Sequence, residues 1–170
     1  MALRNIVCEG DEILKKKCRE VTDIDDRVRT ILDDMIETMR DKEGVGIAAP
    51  QVGILRKMFV IEPEEGELLE FINPVIIEEK GSQESDEGCL SVPGLVGTMD
   101  RPEFIKVEAY DRTGEKVIHE ATGFKAIVIR HELDHLEGIL FIDNAKEVRE
   151  ASGEEEQEEE QNKKKSKNKS

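Results

Sequence analysis

Phe124-Lys125-Ala126-Ile127-Val128-Ile129-Arg130-His131-Glu132-Leu133-Asp134-His135 runs without a glycine or proline, and Gly138 follows it. Phe124, Ile127, Val128, His131 and His135 recur at helical spacing, so the segment predicts a helix with one stripe that is apolar at its start and carries two imidazoles at its end. Residues four apart share a face, so both rings can reach one metal ion, and Glu132 between them can reach a water beside it. A lone histidine on an apolar stripe is more often a satisfied core residue. Two imidazoles buried there without partners would cost free energy, however, and a metal removes that cost.

A catalytic divalent metal takes a third protein ligand and keeps one position open. Cys89 is the candidate. It lies in Glu87-Gly88-Cys89-Leu90-Ser91, where Gly88 allows close backbone approach. Cys8 and Cys18 sit in a charged N-terminal segment and read as plain thiols. His119 lies in a strand-like stretch and reads as exposed. Three cysteines cannot complete an even disulfide framework, which suits a reducing compartment. A third motif, Gly44-Val45-Gly46-Ile47-Ala48-Ala49-Pro50-Gln51, has small residues that leave room for a substrate backbone. By itself it reads more readily as a flexible turn after a helix. No Lys-Ser or Lys-Thr follows it at the spacing of a phosphate loop.

A second helix is expected where Val28, Ile31, Leu32, Met35, Ile36 and Met39 recur, with Asp25 or Asp26 as its N-cap and Gly44 beyond its end. Between the helices the chain reads as β-rich. Lys57–Ile61, Leu69–Ile72 and Val75–Ile77 are short apolar runs. Phe104–Tyr110 and Lys116–Ala121 flank the turn Asp111-Arg112-Thr113-Gly114. Ile139–Ile142 is a further short buried run. Strands without a regular βαβ rhythm predict an α+β fold, mainly antiparallel sheets packed around the central metal-binding helix.

The 170 residues suffice for one domain with a core. Residues 1–145 are expected to form the catalytic domain, and 146–170 a charged, flexible tail. Its Glu154–Glu160 block and Lys163–Ser170 block offer almost nothing to bury. Forty acidic against 25 basic residues give a net charge of −15, which argues against DNA binding by the main domain. No run of 18 apolar residues and no basic-then-apolar leader is present, so neither a membrane span nor secretion is expected, and the location is read as cytoplasmic.

The three motifs, in this order, resemble the peptide deformylase family over roughly Leu3 to Asn144, including Gly10-Asp11 and Leu14. That family carries a glycine-rich segment ending in Ala-Ala-Pro-Gln, a Glu-Gly-Cys-Leu-Ser segment and a His-Glu helix ending in Asp-His. The resemblance implies hydrolytic removal of the formyl group from the N-terminal formyl-methionine of nascent polypeptides, releasing formate. It implies that Cys89, His131 and His135 hold one divalent metal ion, and that Glu132 is the general acid and base. Gln51 and the backbone N–H of Leu90 would stabilise the oxyanion. Ligand type alone suggests zinc. The family implies ferrous iron, with zinc, nickel or cobalt able to occupy the site.

Substrate contacts are expected from Gly44, Val45, Gly46, Ile47, Gly88, Phe124, Ile127 and Val128. Val45, Phe124, Ile127 and Val128 would form the methionine pocket, and the peptide backbone would pair with Gly46 and Ile47 as an added strand. Arg130 stands where the family usually has Gln. Asp134 is expected to pair with Arg101 and stiffen the ligand helix. The ribosome is a possible transient partner through the Lys-rich end. A zinc endopeptidase shares the two histidines and the glutamate, but Cys89 as third ligand separates the two classes. A non-catalytic binding module would not need Glu132 or Gln51.

Overall fold

The computed structural model describes residues 2–151. Among these residues, eight strands form two antiparallel sheets. One holds β1 (Gly46–Ala48), β2 (Met58–Ile61), β3 (Leu69–Lys80), β6 (Phe104–Tyr110) and β7 (Lys116–Thr122), in the order β1-β2-β3-β6-β7. The other holds β4 (Gln83–Cys89), β5 (Val92–Arg101) and β8 (Glu147–Glu150), in the order β4-β5-β8. Every strand pair is antiparallel, so the expected α+β class holds.

The β1–β2 end of the larger sheet is covered on both faces, and the sequence shows it once the strands are placed. In β2 every residue is buried. Met58 and Val60 join Leu32, Met35 and Met39 of α1 (Asp26–Asp41), while Phe59 and Ile61 join Ala126, Val128, Ile129 and Leu133 of α2 (Gly123–Leu136). Successive side chains point to opposite faces, so a strand clamped between two helices reads as a continuous apolar run. In β1 the same alternation sends Ile47 to the α1 core and Ala48 to the α2 core. α1 begins at Asp25, whose side chain accepts from the Val28 N–H at 3.0 Å, a cap worth about 1 kcal/mol.

Two stretches differ from the sequence reading. The runs at Leu69 and Val75 are parts of one strand, β3, although Pro74 lies between them. Asn73 takes a left-handed backbone (φ 51°), and the pairing register with β6 shifts between Ile72 and Val75. This bulge carries the strand past the proline. The Asn73 amide is clamped at both ends by the backbone of Val21, each bond 2.8 Å. The second difference concerns the tail expected from Lys146. Glu147–Glu150 form β8 against Leu95–Thr98 of β5, and the Ala151 N–H donates to the Gly94 carbonyl. The remainder of that expected tail, 152–170, lies outside the described residues. The Ile139–Ile142 run is buried at Leu140 and Phe141 and opens the short helix α3 (Phe141–Asn144). There Phe141 packs so closely on Gly97 that a Cβ at that glycine would lie 2.7 Å from the ring.

Candidate metal centre and substrate cleft

The second half of α2 is largely buried, including Glu132, Asp134 and His135. It presents His131 and His135 to the tip of the β4–β5 hairpin, where Cys89 pairs with Val92 across the two-residue turn Leu90-Ser91. One ligand atom from each of Cys89, His131 and His135 lies within 4.8 Å of the others. Cys89 Sγ is 3.4 Å from His135 Nε2, and the two rings stand edge to face with centroids 5.0 Å apart. Among the described residues this is the one such group of three or more potential ligands.

The chemistry of this donor set fits a divalent transition metal. One thiol and two imidazoles suit a soft or borderline ion rather than calcium or magnesium. Burial drives His135 well below its ordinary pKa, helped by the positive side of His131 and Arg101, so its ring is neutral and ready to ligate. His131 is held well above the ordinary value against its burial, because Cys89 and Glu87 both favour its charged form. Its Nδ1 lies 2.8 Å from Glu87 Oε1, which directs Nε2 toward the sulfur.

Glu87 and Ser91 are the site residues that the motifs contained and the sequence reading left without a role. Glu87 accepts two bonds from Arg101, each 2.8 Å, besides its contact with His131. Burial raises its carboxyl, but Arg101 and His131 outweigh burial and bring it down to about 2. Arg101 also reaches Asp134 at 2.8 Å, as the sequence predicts. The signal for Glu87 was its place two residues before Cys89 in a strand. Burial of that face could not be read from a stretch as polar as Gln83–Glu87.

Gln51 is fully buried in the turn after β1. Its Oε1 accepts from the Ala48 N–H at 2.9 Å, which leaves Nε2 to donate to Ser91 Oγ at 3.1 Å and toward Cys89 Sγ at 3.5 Å. Glu132 lies beside Gly46, where a Cβ would sit 2.8 Å from its Oε1. Its Oε2 is buried with no hydrogen-bond partner among the described residues. Burial, joined by the charge of Glu87 and opposed by His131 and Arg101, pushes this carboxyl up to about 7.

A cleft of about 730 Å³ opens over these groups. Gly44, Val45, Gly46, Gly88, Leu90, Phe124, Ile127 and Val128 line it together with Gln51, Cys89, His131 and Glu132. Ile47 is the one expected contact that does not line it, because its side chain is committed to the α1 core. Its backbone still lies in β1, an edge strand of the larger sheet. The two remaining thiols and His119 stand apart. Cys8 is exposed, Cys18 is buried with its thiol pushed up to about 11, chiefly by burial, and His119 is half-buried against Phe71.

The sequence matches the family model described as polypeptide deformylase over residues 3–151. The chain belongs to the polypeptide deformylase family. Peptide deformylase 1 of Clostridium perfringens (strain 13 / Type A) is 50% identical over 145 residues, which cover 85% of this chain and 99% of that one. The crystal structure of peptide deformylase from Thermotoga maritima superimposes with a TM-score of 0.83 at 38% identity, covering 86% of this chain and 100% of that one. A Met-Ala-Ser-bound class I type b peptide deformylase from Acinetobacter baumannii gives a TM-score of 0.81 at 32% identity, covering 84% and 98%. This family member is therefore a hydrolase that removes the N-formyl group from nascent formyl-methionyl peptides, as the motifs implied. No helix among its described residues is long and apolar enough to cross a membrane.

Proposed function

We propose that Cys89, His131 and His135 hold one divalent ion, ferrous iron in the working enzyme, with zinc, nickel or cobalt as substitutes. Such an ion, when bound, supplies Lewis acidity toward water and the formyl oxygen. Glu132 takes the proton of the attacking water and returns it to the departing amine nitrogen. Glu132, raised mainly by burial, would be shifted back toward its ionised form by a cation held at that site and so kept able to accept. Gln51 Nε2 and the Leu90 N–H donate to the oxygen that gains charge. Losing one such donor costs about 3–4 kcal/mol.

The formyl-methionyl end enters the cleft with its side chain among Val45, Phe124, Ile127 and Val128. Burying one methionine there contributes about 1.5–3 kcal/mol. The backbone runs along the free edge of β1 at Gly46 and Ile47, with Gly44 and Gly88 leaving room for it. The Met-Ala-Ser bound to the Acinetobacter relative supports this choice of ligand class. The working location is the cytoplasm, where new chains appear. Contact with the ribosome through Lys163–Ser170 remains a separate proposal. It is lost if ribosome association shows no salt dependence, or does not differ from that of a chain cut after Ala151.

The observation that carries this reading is the buried, unpartnered Glu132 oxygen beside three converging ligands. Formate release from formyl-Met-Ala-Ser by Glu132→Ala, purified anaerobically with its metal counted, tests it. Metal retained with turnover lost is the expected result. Turnover equal to that of the unmutated chain removes Glu132 as the base.

A further inference from the structure

Arg130 stands where the resembling family usually has Gln, and its guanidinium is not idle. Nε lies 2.8 Å from Glu79 Oε1, near the end of β3, and Nη1 lies 2.5 Å from Asp134 Oδ1, one turn further along α2. The other Asp134 oxygen is held by Arg101, Arg101 grips Glu87, and Glu87 meets Nδ1 of His131. Five charged side chains of alternating sign thus run unbroken from the surface of β3 to a metal-site imidazole. They tie the larger sheet, α2 and the smaller sheet together. A neutral amide at position 130 could donate to Asp134 but could not form an ion pair with Glu79.

We propose that Arg130 is a positioning residue for the metal centre. It anchors the outer end of this chain to β3, and so fixes Asp134, Arg101 and Glu87, and with them the orientation of His131. The inference rests on the reading that His131 is a metal ligand. Isolated surface ion pairs contribute little, but Asp134 is buried, and its geometry depends on both guanidiniums. Groups that orient metal-bound histidines typically change metal affinity by about 10- to 100-fold when removed. Arg130 stands four contacts from His131, so a loss at or just below the low end of that range is expected.

The test uses cobalt-loaded full-length chain and the variants Arg130→Gln, Arg130→Ala, Glu79→Gln and Glu79→Gln/Arg130→Gln. The rate of metal loss to a chelator and the visible thiolate–cobalt absorption are measured for each. Faster loss, about 5- to 10-fold, is expected in both single glutamine variants, with no further increase in the double variant and a shifted band in Arg130→Ala. Rates and bands equal to those of the unmutated chain in all four overturn the proposal and reduce Arg130 to a surface ion pair. Additive effects in the double variant overturn the link through Glu79. If the unmutated chain takes up no cobalt, the metal reading itself fails, which is a separate result. Circular dichroism of each variant separates altered metal loss from unfolding, and Glu79→Gln, at an exposed position, keeps the test alive if Arg130→Ala does not fold.

Discussion

Glu87 Oε1 lies 2.8 Å from His131 Nδ1 while both Glu87 oxygens are gripped by Arg101. One carboxylate therefore joins the β4 hairpin, the end of β5 and the ligand helix. Its ionisation, its partners and the small residues around it give separate expectations.

The first concerns acid. Unfolded, the Glu87 carboxyl titrates near its ordinary 4.5; folded, it stays ionised down to about 2. Between those values the unfolded chain binds more protons. The stabilisation is complete above 4.5, shrinks as pH falls below it, and is gone below about 2. It amounts to on the order of 3 kcal/mol. His131, raised above its ordinary value, is protonated in both states across this window and adds no slope. Denaturant melts of metal-free protein between pH 5 and 2 should show a slope that Glu87→Gln flattens. An unchanged slope in that variant removes this carboxylate as the acid-sensitive group.

Arg101 is 5% exposed and pairs with both Glu87 and Asp134. Arg101→Met keeps volume but leaves two buried carboxylates with reduced pairing. Breaking a buried pair on one side costs about 3–5 kcal/mol. Arg101→Met should therefore lower the denaturation midpoint more than any exposed-pair variant, such as Lys15→Met at the Asp143 bridge. Equal midpoints for the two variants contradict this account.

Gly46 faces Glu132 so closely that an added methyl would meet Oε1 at 2.8 Å and Cγ at 3.2 Å. Glu132 is buried and cannot swing into solvent, so Gly46→Ala must push its carboxylate out of place. A misplacement of about 1 Å costs on the order of a hundredfold in rate. Formate-release kinetics should show kcat falling by about that much while the melting temperature changes little. A drop in stability with kcat preserved assigns the glycine to packing alone.

Residues 146–151 supply a testable boundary. β8 covers the edge of β5, and Ala145 packs with Leu140 and Phe141 in the core beneath that sheet. A chain ending at Ala145 should melt below one ending at Ala151, because it loses four paired residues and exposes the β5 edge. Matching melts would show that β8 contributes nothing to the domain.

The fold class and the grouping of the candidate ligands were legible in the sequence, and the strand boundaries were less so. Residues within one element are placed by its period, so His131 and His135 four apart, and Glu132 between them, could be read directly. The short glycine-bounded Cys89 segment and Gln51 became legible together because all three motifs occur in one order. Glu87 escaped because nothing local marks which face of a polar strand is buried. β3 was divided because Pro74 ends a ladder unless a bulge bypasses it, and bulges depend on the partner strand. β8 was assigned to the tail because Glu147–Glu150 offers little apolar surface, and its pairing is supplied by β5.

By itself, then, the sequence determined that two imidazoles share one helical face with a carboxylate between them, because covalent spacing and helix geometry are local. Only the tertiary structure decided that Cys89 meets those rings, that Ile47 turns into the core and away from the cleft, and that Glu79, Arg130, Asp134, Arg101 and Glu87 form one connected set. Those contacts join residues far apart in the chain, and they exist only where packing of two sheets against α2 brings opposite charges out of water together.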